Sequence, residues 1–334
     1  MSQLESAYAF PVPVSADLPS SDAPASTPHA SNELLGLGHA LLEDIAANAL
    51  TIVSVPGRGL GPQAASALSY AVSKSLVVHT LDVSANFLGD DGGRALAKAL
   101  ATCPSLVALD GSDNDLGPSG GIAIARGMRV APQLAHVYLG FNSIDIGGAV
   151  ALASAAADSS TLLTLDVSFN SLSDDAVAAF ASRLLTGCAE RTGNGKPLPP
   201  LRLLQLDGND MIHEGALACV RLLETLRGTL KTLSLTSNQL DDQAVLALID
   251  ASEKYDVRVL FNVGGADDFE WREGCTAFRE SLAALNGRSL PGKRALSSAP
   301  PNEVLRANFC ARTACPDTPI SYENSDLSLN RHSS

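Results

Sequence analysis

Closely spaced carboxylates are the feature of this sequence that most directly suggests chemistry. The segment DGSDNDLG begins at Asp110 and carries two further carboxylates, Asp113 and Asp115. A calcium loop needs oxygen ligands that alternate along the chain and a glutamate that closes the loop. The three carboxylates occupy positions one, four and six, and no glutamate follows at the closing position. The spacing therefore predicts no metal site.

The sequence also gives little indication of a catalytic site. It contains no HExxH zinc motif and no phosphate-binding GxxxxGK[ST] segment. The six histidines form no cluster with Cys or Asp at a catalytic spacing, and no two of the six cysteines form a CxxC pair. We therefore expect a protein that is not an enzyme and needs no cofactor.

Composition narrows the classes of partner. Among the 334 residues, 46% are hydrophobic, only 4% are aromatic, and the formal net charge is −13. Such an acidic chain repels phosphate backbones and anionic lipid, so nucleic acid and membranes are not expected partners. No apolar run reaches the roughly 18 residues of a membrane span, and no secretory signal begins the chain. We expect a cytoplasmic monomer with an aliphatic core and a protein partner.

A repeat of 28 residues organises the chain. LDVSANFL begins at Leu81, and LDVSFNSL begins three periods later at Leu165. An asparagine marks the same place in six units, first in steps of 28 residues and then in steps of 39 and 29. The members are Asn86, Asn114, Asn142, Asn170, Asn209 and Asn238. The one long step contains ERTGNGKPLPP, which begins at Glu190 and has the composition of a loop insertion.

Each unit predicts a short strand, a turn and a helix. Leu81, Val83 and Leu88 are expected to point into the core, while Asp82 alternates outward. The asparagine amide carries both donors and an acceptor, so it can satisfy buried backbone groups of its own turn and of the next repeat. Three acidic pairs then begin the helical segments, where we expect them to cap those helices: Asp90–Asp91, Asp174–Asp175 and Asp241–Asp242.

The pattern LxxLxLxxNxL resembles the leucine-rich repeats of ribonuclease inhibitor and NLR receptors. This resemblance implies an α/β solenoid of about eight repeats with terminal caps, a curved parallel sheet inside and helices outside. We expect the repeat domain to span residues 32–286, with a capping helix over Asn32–Leu50 and another that begins at Phe269. Residues 1–31 and 287–334, rich in Ser, Ala and Pro, are expected to be disordered tails.

Solenoids of this kind bind proteins on the concave face, and the strand pattern predicts which residues lie there. In the row that starts at Ser54 we expect Arg258 as the last member. Candidate binding residues are an aromatic cluster, an acidic stripe and one histidine. They are Tyr138, Phe141 and Phe169; Asp82, Asp110, Asp113, Asp166 and Asp207; and His136. The acidic stripe favours a basic or mixed protein surface. Alternatively, the phenylalanines tuck into the edge of the core and the aspartates are merely solvated.

Three functions remain open. The first is a non-catalytic interaction module or scaffold. The second rests on a resemblance to the GTPase activators of Ran, which share this repeat type and act through an early-repeat arginine or through an asparagine. Arg58 is the loosely matching arginine, whereas Asp113 stands where that asparagine is expected. The third is a structural component of a cytoskeletal or ciliary assembly.

Overall fold

A computed structural model describes residues 38–261, in which strands and helices alternate. The strands are β1 (Ile52–Ser54), β2 (Thr80–Asp82), β3 (Ala108–Asp110), β4 (His136–Tyr138), β5 (Thr164–Asp166), β6 (Leu203–Gln205), β7 (Thr232–Ser234) and β8 (Arg258–Leu260). The helices are α1 (His39–Ala46), α2 (Pro62–Val72), α3 (Gly89–Thr102), α4 (Pro118–Val130), α5 (Ile146–Asp158), α6 (Asp174–Gly193), α7 (Glu214–Thr225) and α8 (Asp242–Tyr255).

All eight strands form one parallel sheet in chain order, so each strand pairs with the strands of the adjacent repeats. We call a strand with its following turn a rung and number the rungs as the strands. The central residue of each strand is buried, as Leu81, Leu109 and Val137 illustrate. Strands repeat about every 4.8 Å, whereas packed helices need about 8–10 Å. The stack therefore curves with the sheet on its concave side, which confirms the predicted α/β solenoid.

The asparagine ladder forms as the sequence predicts. The Asn142 side-chain oxygen accepts from the backbone N–H groups of Asn114 and Leu116, at 3.1 and 2.9 Å. Its amide nitrogen donates to three backbone carbonyls, one of them Gly111 in the preceding rung. Five of the six ladder asparagines, from Asn86 to Asn209, are buried. Each side chain thus joins two rungs through backbone groups that would otherwise be buried without a partner.

The carboxylates at the helix starts act differently from the sequence prediction. Asp241 caps its own helix by accepting from Ala244 N–H. Asp90 instead accepts from two N–H groups at the start of the next helix, α4. Asp174 likewise accepts from four consecutive N–H groups at the start of α7, residues 212–215. Although partial burial raises the pKa of Asp174, these four donors outweigh burial and lower it. Two of the expected caps therefore fasten neighbouring repeats together.

Helix packing depends on glycine at close contacts, of which the contact between α3 and α4 is an example. A Cβ atom on Gly93 of α3 would lie 2.8 Å from the Gly120 Cα of α4. Real Cβ atoms do not approach backbone so closely, so this pair of glycines sets how near the two helices can lie.

The predicted ends and insertion are only partly within the described residues. Of the helix predicted over Asn32–Leu50, the structure shows α1, which ends at Ala46; residues 32–37 lie outside the described residues. The insertion was expected to be a loop from Glu190, but α6 continues as helix to Gly193. The predicted C-terminal capping helix, both tails and the outer limits of the 32–286 domain lie outside residues 38–261.

We predict that Asn142→Ala lowers the free energy of unfolding by about 2–4 kcal/mol, because several buried backbone groups lose their partners together. Urea unfolding followed by circular dichroism measures the change. Ser143→Ala is the matched control: this neighbouring side chain is exposed, and we expect a change below about 0.5 kcal/mol. A loss below about 1 kcal/mol for Asn142→Ala would show that the ladder is not a main source of stability.

Candidate functional site

The strand ends form one row across the open face of the sheet. Register pairs Leu260 with Ser234, so Arg258 lies two residues upstream beside Thr232 and does not end this row. The prediction for Arg258 is wrong because strand β8 is shifted by two residues from the position we assumed. From rung one to rung eight the row reads Ser54, Asp82, Asp110, Tyr138, Asp166, Gln205, Ser234 and Leu260.

The two carboxylates toward the ends of the acidic stripe are saturated by hydrogen bonds. Asp82 accepts from the hydroxyls of Ser54 and Ser84, at 2.7 and 2.8 Å, and from Ser84 N–H. Asp207 accepts from the hydroxyls of Ser234 and Thr236, at 2.6 and 2.9 Å, and from Thr236 N–H. Both side chains are buried. They hold adjacent rungs together and are not the solvated groups of our alternative interpretation.

The two central carboxylates have fewer partners. Within residues 38–261, Asp110 and Asp166 each bond only the serine two residues later. The serine backbone N–H donates at 2.9 and 2.8 Å, and the serine side chain also contributes. Burial raises the pKa of both carboxyls, and neighbouring aspartates raise it further. Tyr138 lies between them, and its pKa is raised by burial and by both carboxylates. This centre therefore concentrates negative charge that the fold only partly compensates.

His136 lies on the same strand as Tyr138, two residues upstream. Its Nδ1 atom is 3.1 Å from the Thr164 hydroxyl on the next strand. Burial lowers the pKa of the imidazole, so the ring is neutral at pH 7 and can donate or accept one hydrogen bond at each nitrogen according to its tautomer.

Phe141 and Phe169 stack on each other at the turns of rungs four and five. Their ring centroids lie 4.3 Å apart with an interplanar angle of 8°. The side chains are 59% and 37% exposed, which excludes our alternative that they tuck into the core. A Cβ atom on Gly208 would meet the Phe169 ring at 2.2 Å, so the ring lies against this glycine in rung six.

The turn residue before each ladder asparagine adopts a left-handed backbone conformation. Phe141 and Phe169 have φ of 55° and 52°, and Asp113 has φ of 53° at the equivalent place in rung three. Bulky side chains rarely adopt this conformation, which costs about 1 kcal/mol or more per residue. Asp113 is exposed; its backbone N–H donates to the Gly140 carbonyl, and its side chain makes no hydrogen bond or ion pair within residues 38–261.

Two further residues escaped sequence analysis. Phe87 follows ladder residue Asn86 and is 68% exposed, beside the rung that carries Asp113 and Asp115. The rule that positions flanking the asparagine face outward would have identified it. Ser119 lies in GPSGG, residues 117–121, which matches the GxSxG pattern of some hydrolases. It occupies the first turn of α4, and neither histidine nor aspartate contacts its hydroxyl in the described chain.

The described residues offer little else that chemistry would require. Between residues 38 and 261, no three His, Cys, Asp or Glu side chains are arranged to hold a metal ion. Arg58, the arginine of the GTPase-activator resemblance, is exposed at the turn of rung one, where its backbone N–H donates to the side-chain oxygen of Asn86. None of the helices described is long and apolar enough to span a membrane.

The carboxylates and the exposed aromatic rings on the sheet face are suited to binding a cation beside an apolar group.

Comparison with known proteins agrees with this architecture. A family model described as Leucine Rich repeat matches residues 74–97, 102–125, 158–181 and 229–248. No curated protein matches the sequence. Solved structures found to be similar include leiomodin-1 actin-binding site 2, with 17% identity, TM-score 0.39, and coverage of 51% of this chain and 95% of that one. The tropomodulin C-terminal domain of Caenorhabditis elegans shows 17% identity, TM-score 0.38, and coverage of 46% and 95%.

The matched segments coincide with rungs two, three, five and seven of the sheet. With the ladder and the parallel register, they identify this chain as a leucine-rich repeat protein.

Proposed function

We propose that this protein is a non-catalytic interaction module whose concave face binds a protein partner with a basic or mixed surface. The observation that supports the proposal is the central site, which we define as Asp110, Tyr138, Asp166, Phe141 and Phe169. It combines partly compensated carboxylates with exposed, stacked aromatic rings on adjacent rungs.

The central site combines two features that cost stability. Besides burial, neighbouring aspartates raise the pKa of both Asp110 and Asp166. Asp82 and Asp207 show instead how serine and threonine hydroxyls of an adjacent rung can hold a carboxylate on this face. Phe141 and Phe169 hold strained backbone conformations that glycine adopts freely at Gly208. Residues that reduce stability without a structural return are typical of binding sites.

A basic partner would gain affinity from both features. Its cation would compensate Asp110 and Asp166, and its apolar groups would cover the exposed rings. Aromatic side chains inside a polar surround supply much of the affinity in protein interfaces, and opposite charge accelerates the encounter.

The aromatic part of the site is tested by the triple variant Tyr138→Ala/Phe141→Ala/Phe169→Ala. Native and variant proteins are used to capture partners, which are identified by mass spectrometry. We expect one or more partners to be lost, with affinity reduced at least tenfold for any captured protein that is then purified.

Tyr70→Ala is the control for this experiment, because Tyr70 is 62% exposed on helix α2, away from the sheet. It should retain every partner. If the triple variant retains them all while keeping its circular dichroism spectrum, the proposed binding face is wrong.

The charged part of the site predicts opposite effects on stability and binding. Asp110→Asn/Asp166→Asn should raise the free energy of unfolding at pH 7 by up to about 1 kcal/mol, because it removes two partly buried charges that neighbouring aspartates repel. It should also slow association with the purified partner and weaken the salt dependence of association. Asp175→Asn/Asp242→Asn removes two exposed helix charges and is the matched control. A destabilised central variant, or equal effects of the two pairs on association, would contradict the prediction.

Acidification should remove the effects of Asp110 and Asp166 on stability and on binding. Because their folded pKa values lie above the unfolded value, the folded state takes up protons first, and its electrostatic cost disappears as the pH falls through those raised values. The stability gain of Asp110→Asn/Asp166→Asn should therefore shrink over that range. Partner binding by the native protein should weaken over the same range, as the carboxylates lose their charge. Urea unfolding and binding titrations between pH 7 and pH 4 measure both, and a constant stability difference would refute this assignment.

A further inference from the structure

We infer that the basic group recognised by this face is an arginine, whose guanidinium stacks on the outer face of Phe141 while it bonds the Asp113 carboxylate. This inference rests on the proposed function and adds the chemical identity of the group that is bound. It concerns rungs three and four, where an aromatic ring and a carboxylate occupy equivalent turn positions.

The stack leaves one aromatic face available. Phe169 lies between Phe141 on one side and Gly208 on the other, in the order of the rungs. Phe141 uses one face against Phe169 and is still 59% exposed. Because the rings succeed one another in the direction of the rungs, the second face of Phe141 is turned toward rung three.

Rung three presents a carboxylate at that place. Asp113 occupies the turn position equivalent to Phe141, with nearly the same backbone φ, so their Cα atoms are about 5 Å apart as in neighbouring parallel strands. The Asp113 side chain is exposed and takes part in no hydrogen bond or ion pair among the residues described. A flat cation placed on the ring would therefore have an acceptor beside its edge.

The surroundings of this position are acidic. Asp115 lies two residues beyond Asp113, and Asp110 lies three residues before it at the end of β3. None of the five ion pairs found between residues 38 and 261 involves any of these three carboxylates. The site thus provides negative potential without an internal cation that would compete with a ligand.

Arginine fits this arrangement better than lysine. Its guanidinium is planar, so it can lie on an aromatic face and direct N–H groups from its edge to a carboxylate at the same time. An ammonium is compact and strongly hydrated, and it gains less from the ring. The Phe141–Asp113 pair should therefore discriminate between two side chains of equal charge.

Three peptides of the same length test the inference. Each has a Gly/Ser background with three arginines, three lysines or three citrullines, and binding is followed by NMR titration of the native protein. We expect the arginine peptide to bind at least threefold more tightly than the lysine peptide, with shifts centred on Asp113 and Phe141. The uncharged citrulline peptide should bind most weakly.

Two variants test whether Phe141 and Asp113 cause the preference for arginine over lysine. Phe141→Leu keeps an apolar side chain but removes the ring, so the arginine and lysine peptides should then bind equally. Asp113→Asn should weaken the arginine peptide at least threefold. Tyr70→Leu, on the helical side, should leave the preference unchanged. Circular dichroism and urea unfolding confirm that each variant is folded.

The outcomes separate this inference from the proposed function. Equal binding of the arginine and lysine peptides to the native protein overturns the assignment of arginine but leaves a basic partner in place. A preference that survives Phe141→Leu also overturns it, because the ring would not be its source. Shifts confined to the helical side overturn the arginine site and the concave binding face together.

Discussion

The buried carboxamide in each turn is the interaction on which the rest of this molecule depends. A three-residue strand is followed by a turn in which several buried backbone groups have no backbone partner. One asparagine per rung supplies an acceptor to N–H groups of the preceding rung and donors to carbonyls of its own and the preceding rung, as Asn142 does. Because every amide needs its neighbour at one fixed offset, the ladder also fixes the parallel register and the spacing of the rungs.

That fixed spacing explains how the open face of the sheet can carry unfavourable groups. The ladder, the aliphatic core and the inter-repeat contacts of Asp90 and Asp174 determine the positions of the turns. Side chains placed beside the ladder asparagines are then held in position even where their own conformation is strained. Phe141 and Phe169 keep left-handed turns for this reason, and the stacked pair stays exposed.

The aspartates of the open face differ from one another in their hydrogen bonding, although they are the same residue type. Four aspartates face it at strand ends or just beyond, yet Asp82 and Asp207 are saturated by serine and threonine hydroxyls. Asp110 and Asp166, on either side of Tyr138, are left with the serine two residues ahead. The centre of the face is therefore where an external cation would gain most, and the aromatic rings lie at the turns of the same rungs.

The sequence by itself determined the fold, because a 28-residue period, alternating apolar residues and a recurring asparagine are local signals that repeat in register. It also determined which residues reach the open face, as the positions of Tyr138, Phe141 and Asp166 show. The tertiary structure alone decided how those residues interact. Whether an aspartate is saturated depends on the hydroxyls of an adjacent rung, and whether Asp90 or Asp174 caps its own helix depends on the neighbouring one. Stacking of Phe141 on Phe169 depends on space above Gly208, and the shift of Arg258 depends on the pairing of β8. Each of these is set by contacts between rungs, which a pattern read within one repeat does not contain.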